Sequence, residues 1–363
     1  MIQDSFSGFY SGKRVLITGH TGFKGSWLSI WLRELGANVI GVGLDPHTEK
    51  DNYVLSGIGS RIMADLRVDI RDGLKIKSIF DEYQPEIVFH LAAQSLVRLS
   101  YEIPVETYQT NVMGTLNVLD AIRSTESVRV AVMITSDKCY ENKEQLKGYE
   151  EDAPFGGYDP YSSSKGACEI AIQSWRRSFF NPKQFGKIHH VSLSSARAGN
   201  VIGGGDWARD RLIPDCIRAI EAGKPIEIRS PKAIRPWVHV LDPLSGYLLL
   251  AKKMWENPKS YCGGWNFGPE NDCVSSVWEV ASRLIHCFGE GEIIDRSESE
   301  EPHEASLLTL NINKAKSHLG WYPHLNMEGA ISLTTDWYRR YRNNDVYKVC
   351  IEEINQFLEL WKK

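Results

Sequence analysis

Tyr161 and Lys165 stand one helical turn apart, so a phenol and an ammonium project from one face. A free tyrosine hydroxyl, with a pKa of ~10, is a poor base at neutral pH. A cation one turn away, and a positive ring beside it, would bring that value toward the working range. Such a pair can take the proton of a hydroxyl while hydride leaves the same carbon. Far upstream lies Gly19-His-Thr-Gly-Phe-Lys-Gly25, which follows the apolar run 14–18 and opens a helix-periodic stretch. Glycines let the backbone approach a pyrophosphate, and a helix N-terminus offers it unpaired N–H groups. Each motif alone is common. In this order and spacing they point to hydride chemistry at a carbinol carbon beside a bound dinucleotide.

A third group follows another strand-like run: Thr135-Ser-Asp-Lys-Cys-Tyr140. Ser136 can donate to the oxygen that Tyr161 attacks. Asp137 could protonate a leaving hydroxyl, and Lys138, if neutral, could take a proton alpha to a new ketone. Simple oxidation needs neither. The bland alternative is an exposed ion pair on a turn.

The cofactor side follows from the glycine loop. Thr21, Phe23 and Lys24 sit within it, and Lys24 suits a phosphate. Asp45 closes the second strand-like run, where a carboxylate takes two ribose hydroxyls and repels a 2′-phosphate. NAD is therefore expected over NADP. Asp69 and Ile70 would border the adenine, and Leu91, Ala92 and Ala93 are small or apolar where the cofactor must pass. Lys165 would also hold the nicotinamide ribose.

The elements that must position these groups alternate. Strand-like runs at 14–18, 38–44, 61–66, 86–91, 128–135 and 189–196 are separated by helical patterns at 26–35, 74–83, 111–123 and 161–180. Asp159 and Pro160 read as cap and first-turn proline of the last helix. This alternation predicts an α/β fold with a doubly wound parallel sheet. After Gly199 the texture changes to glycine-rich loop and clustered arginines, while 238–242 and 265–268 read as returns to the sheet. The expected division is a dinucleotide-binding domain at 12–198 plus about 237–268. A smaller, discontinuous lobe at about 199–236 plus 269–340 would bind substrate, and 341–363 forms a helical tail that packs.

The 42 basic and 46 acidic residues give a net charge of −4, which argues against a nucleic-acid partner but not against a local anion site. Seven cysteines without a C-x-x-C fit free thiols in a reducing compartment and no metal site. The first 13 residues do not read as a signal peptide, and no apolar run approaches the ~20 residues of a membrane span. A cytoplasmic protein is expected.

These strings, with Arg197-Ala-Gly-Asn-Val-Ile-Gly-Gly-Gly-Asp-Trp207 and Arg235-Pro-Trp-Val-His239, resemble the extended short-chain dehydrogenase/reductase family and its nucleotide-sugar 4,6-dehydratases. The likeness runs from about residue 12 to 340 and implies a Rossmann-type sheet with NAD. Relatives acting on dTDP- and GDP-sugars carry Thr-Asp-Glu where Ser136, Asp137 and Lys138 stand here. The lysine is characteristic of the branch that acts on CDP-glucose, and leaves open whether it is the C5 base or an enolate-stabilising cation. The implied reaction oxidises C4, eliminates water across C5–C6 and returns hydride to C6. It stands at the head of routes to CDP-linked 3,6-dideoxyhexoses of O-antigen.

The resemblance also implies substrate contacts. Asn200, Arg235 and His303 match positions at the diphosphate, and Arg209, Arg211, Leu212 and Ile213 positions at the nucleotide, with Ser95 and Asn271 as further contacts. Arginine forks suit a diphosphate. A homo-oligomer, dimer or tetramer, is implied through the 111–123 and 161–180 helices. The second carries more apolar residues than one sheet-facing stripe requires: Ile170, Ile172, Trp175, Phe179 and Phe180. Two alternatives are an epimerase or reductase of the same fold, and a non-catalytic NAD sensor. Asp137 and Lys138 argue against the first; Ser136, Tyr161 and Lys165 argue against the second.

Overall fold

The computed structural model describes residues 2–145, 147–270, 275–297 and 307–361. Seven strands form one parallel sheet: β1 (Arg14–Thr18), β2 (Asn38–Gly43), β3 (Ala64–Arg67), β4 (Ile87–His90), β5 (Val130–Ile134), β6 (Ser192–Ala198) and β7 (Gly263–Phe267). Their order is β7-β6-β5-β4-β1-β2-β3. Every residue of β4, β5 and β6 is buried, as expected of strands covered by helices on both faces. One apolar layer packs the Phe23–Glu34 and Leu241–Glu256 helices against the sheet and the Val346–Trp361 helix outside the first of them, and includes Trp27, Trp31 and Leu244. The other holds Ile76 and Phe80 of the Gly73–Tyr83 helix, Val118 and Ile122 of the Gly114–Arg123 helix, and Ile172 of the Pro160–Ser178 helix.

The chain runs outward from β1 to β3 and then returns to β4. The order therefore reverses between β1 and β4, and ligands of such sheets bind in the crevice beyond the strands' C-terminal ends there. Two glycines make the approach possible. A Cβ on Gly19 (φ +76°) would lie 2.8 Å from the Ala92 nitrogen, and one on Gly25 only 2.0 Å from the Gly19 carbonyl oxygen.

Three expectations are corrected. The third strand is not 61–66 but Ala64–Arg67, because Ile58–Arg61 closes into a 3-10 turn. Residues 238–242 do not rejoin the sheet. Val238–His239 pairs with Val201–Ile202 in a separate ladder, and Leu241 starts a helix that packs on the sheet instead. The 111–123 helix begins as a π turn, Gln109–Met113, before Gly114–Arg123. The 265–268 segment does join the sheet, as β7. Two more short ladders, Ile226–Ile228 with Ile293–Asp295 and Ile234–Arg235 with Ser275–Ser276, accompany the Leu212–Glu221 and Val277–Phe288 helices. The tail helix lays Phe357 against Trp31, ring centroids 5.8 Å apart. Among the described residues no helix is long and apolar enough to cross a membrane.

Candidate active site

A cleft of about 1090 Å³ opens beyond β4, β5 and β6 and runs under the short ladders. Ser136, Lys138, Tyr161 and Lys165 line it. Asp159 caps the tyrosine's helix, its Oδ1 accepting from the Ser162 N–H at 2.9 Å with Pro160 in the first turn, as the sequence predicts. Asn111, in the π turn, donates through Nδ2 to Ser164 Oγ at 2.8 Å and accepts from the Gln94 N–H, also at 2.8 Å. This ties the helix to the loop after β4.

A buried ion pair holds the next turn. Glu169 accepts Arg197 Nε and Nη2, each at 2.8 Å, with Ser195 Oγ at 2.8 Å and Thr135 Oγ1 at 2.5 Å. Charges this deep are tolerated because every oxygen is bonded. Thr135 directly precedes Ser136, so the network fixes the helix against the end of β5 where the Asp137–Cys139 turn begins.

Tyr161 is 7% exposed. Burial pushes its phenol up to about 12, against a smaller downward pull from the Ser136 side chain. The expected lowering by Lys165 does not operate in the protein alone. Burial lowers the lysine's own pKa, and its ammonium sits 6.0 Å from the Tyr161 ring centroid. A further positive charge at the site is needed to bring the phenol into the working range.

Ser136 caps the short turn Asp137–Cys139. Its Oγ accepts from the Lys138 N–H at 3.2 Å and donates to Asp137 Oδ1 at 2.9 Å. Asp137 is 1% exposed, and its Oδ2 has no partner among the described residues. That oxygen faces Gly199, where a Cβ would come within 3.1 Å. Lys138 Nζ lies 3.6 Å from Asp137 Oδ1 and 3.4 Å from Asn200 Oδ1. The exposed-pair alternative therefore fails: the acid is buried, and its lysine lines the cleft.

The glycine loop fits a dinucleotide pyrophosphate. Gly22 starts the Phe23–Glu34 helix with no side-chain cap, so first-turn N–H groups remain for a ligand. Phe23, Leu91 and Ala93 line the cleft, and Ala92 donates its N–H to Thr18 Oγ1 at 3.2 Å. Asp45 follows β2 and is 87% exposed along its side chain. Thr21 is instead buried against β2, where a Cβ on Gly43 would meet its Oγ1 at 3.0 Å. The Asp69 carboxylate is taken by Arg71, with bonds from 2.6 to 3.1 Å. Ile70 is 4% exposed, packs against Gly114, and accepts from Asn117 Nδ2 through its carbonyl oxygen at 2.9 Å. Lys24 lines the same cleft as Tyr161 and Lys165. Its amine is lowered to about 7 by burial first and then by Lys165 and Arg211, with Asp137 opposing.

On the substrate side Ser95, Asn200, Arg211, Leu212, Ile213 and Arg235 all line the cleft. Arg211 donates to Asp206 Oδ2 at 2.8 Å and to Ser95 Oγ at 3.1 Å. Arg209 is exposed, beside Asp210 and Arg211, which line the cleft. Asn271 and His303 lie outside the described residues. Two cleft arginines escape the sequence reading, Arg98 and Arg229. Asp210 lies between them, 3.9 Å from Arg98 and 3.1 Å from Arg229. Four arginines thus line one cleft of a chain whose net charge is −4.

Comparison with known proteins adds the following. Residues 16–334 match the family model described as GDP-mannose 4,6 dehydratase. A CDP-glucose 4,6-dehydratase of Salmonella typhimurium is 44% identical over 351 residues, covering 96% of this chain and 97% of that protein. A probable dTDP-glucose 4,6-dehydratase of Sinorhizobium fredii is 28% identical, covering 90% and 92%. Among solved structures, dTDP-glucose 4,6-dehydratase of Bacillus anthracis in complex with NAD superposes with a TM-score of 0.75 at 20% identity, covering 93% of this chain and all of that one. A Thermus thermophilus UDP-glucose 4-epimerase complexed with NAD gives 0.75 at 25%, covering 90% and 99%.

Proposed function

The chain belongs to the GDP-mannose 4,6-dehydratase family, and from that premise we propose that it converts CDP-glucose to CDP-4-keto-6-deoxyglucose and water. It is a hydro-lyase with NAD as its cofactor. Bound there, NAD would supply the hydride acceptor for the hexose C4 and, once reduced, the hydride donor for C6. The glycine loop 19–25 and Asp45 are the groups that would hold it, with Lys165 on the nicotinamide ribose.

The protein's own groups move the protons. Tyr161 removes the C4 hydroxyl proton while Ser136 donates a hydrogen bond to the same oxygen. The resulting ketone acidifies C5–H. Lys138 takes that proton or stabilises the enolate, and Asp137 gives a proton to the C6 hydroxyl as it leaves as water. Arg235, with Asn200, holds the diphosphate, Arg211 faces the nucleotide, and Arg98 and Arg229 add to the positive wall.

The observation that carries dehydration over simple oxidation or epimerisation is the buried Asp137, whose Oδ1 meets Ser136 and Lys138 while its Oδ2 has no partner among the described residues. An epimerase has no leaving hydroxyl to protonate. We also assign the enzyme to the cytoplasm, at the first step toward CDP-linked 3,6-dideoxyhexoses. It would act as a homo-oligomer through the Gly114–Arg123 and Pro160–Ser178 helices, whose neighbourhood leaves Met113, Ile170 and Phe179 exposed. A panel of nucleoside diphosphoglucoses, followed by the alkaline absorbance of 4-keto-6-deoxy sugars, tests the reading. Conversion of the CDP sugar supports it. A C4 epimer, or no product from any member, refutes it.

A further inference from the structure

Arg67, the last residue of β3, reaches across to the end of β2. Its Nε donates to Asp45 Oδ1 at 3.1 Å. The rest of the guanidinium is held from behind: Nη1 donates to Asp65 Oδ1 at 2.5 Å, and Nη2 to the Tyr53 hydroxyl at 2.7 Å and to Asp65 Oδ2 at 3.3 Å. Tyr53 in turn donates to Asp65 Oδ2 at 2.5 Å, and His20 Nε2 lies 2.7 Å from Asp65 Oδ1. The two carboxylates differ. Asp65 is half-buried in this network, whereas Asp45 is exposed and makes one bond to the arginine.

We infer that Arg67 is a cofactor-specificity residue. It steadies the Asp45 carboxylate at the adenosine ribose, and that carboxylate in turn covers an arginine edge able to receive a 2′-phosphate. The inference rests on Asp45 meeting the ribose. Arginine recognises phosphate through charged N–H donors; Asp65 and Tyr53 already take Nη1 and Nη2 and hold the guanidinium in place without Asp45, so the edge that Asp45 covers is the Nε donor. Because Asp45 is exposed, room is not what excludes a 2′-phosphate. The excluding element is the negative charge, which both repels the phosphate and occupies the Nε edge. Selectivity for NAD would then be a masked preference rather than the absence of a phosphate site.

The test is a set of dissociation constants for NAD and NADP, measured by calorimetry on the wild-type protein and on Asp45→Ala, Arg67→Ala and Asp45→Ala/Arg67→Ala. One charged hydrogen bond carries about a 10–100-fold effect on affinity. Asp45→Ala should weaken NAD and tighten NADP, each by that order. Arg67→Ala should weaken NAD by less and still refuse NADP. The double variant should lose the NADP gain. If the double variant keeps the full gain, or if Asp45→Ala gains no NADP affinity, Arg67 is not a phosphate receptor and the inference falls. If Asp45→Ala leaves NAD affinity unchanged, the placement of the ribose itself is wrong, which is a distinct failure. Arg67→Gln, which retains a donor for Tyr53, replaces Arg67→Ala should thermal unfolding show that the alanine variant is not folded.

Discussion

Replacing Tyr161 by phenylalanine removes one oxygen from the centre of the proposed chemistry. Loss of a positioned proton-transfer group costs about 10²–10⁴ in rate, or roughly 3–5 kcal/mol of barrier. The same oxygen has a second, independent signature. In the folded protein burial raises the phenol to about 12, two units above its ordinary value. A folded pKa above the unfolded one means that stability is intact below pH 10 and is lost as pH rises through 12. The loss is about 1.4 kcal/mol per pH unit, or roughly 3 kcal/mol over the window. Phenylalanine carries no such penalty. The variant should therefore match the wild type in urea unfolding at pH 7 to 8, and become the more stable protein above pH 10. Other buried tyrosines, such as Tyr140 and Tyr247, titrate in both proteins and cancel in the difference. Steady-state turnover, NAD binding by fluorescence and unfolding at two pH values complete the assay. Near wild-type turnover would place the base elsewhere, and parallel stability profiles would mean that the hydroxyl is not desolvated as described.

Three further outcomes follow from the same geometry. Lys138→Met should still reduce NAD with CDP-glucose but stop at the 4-keto-glucose, without solvent deuterium entering C5; normal product with full C5 deuterium would remove Lys138 from the elimination. Asp242 is fully buried and its carboxyl is raised to about 7, so its contribution to stability is complete below pH 4 and is lost as pH rises to 7, by about 4 kcal/mol. Asp242→Asn should flatten that slope in unfolding experiments across pH 4 to 7, whereas profiles of equal slope would refute the assignment. Sedimentation at micromolar concentration should give a dimer or tetramer, and a monomer would contradict the role given to the Gly114–Arg123 and Pro160–Ser178 helices.

Much of the site is legible in the sequence because its signals are local. The loop at 19–25 announces its own turn and helix, and Asp159 and Pro160 mark the start of the helix that presents Tyr161 and Lys165. What stays hidden depends on distant partners. Arg98 and Arg229 meet at Asp210 only after the short ladders fold over the sheet, and nothing in their own segments separates them from surface arginines. The third strand starts later than its pattern suggests because Arg61 closes a 3-10 turn and Ile62 is its exit. The Tyr161 pKa also goes the other way, because helical spacing places Lys165 nearby but cannot report how deeply both groups are desolvated.

The central claim is that one active site oxidises C4, expels water and returns the same hydride to C6. Turnover of CDP-glucose carrying deuterium at C4, followed by NMR and mass analysis of the product, tests it directly. The account predicts a 4-keto-6-deoxy sugar, one water lighter, with the deuterium at C6 and a solvent-derived hydrogen at C5. Deuterium retained at C4, or a product that keeps its C6 hydroxyl, would contradict it.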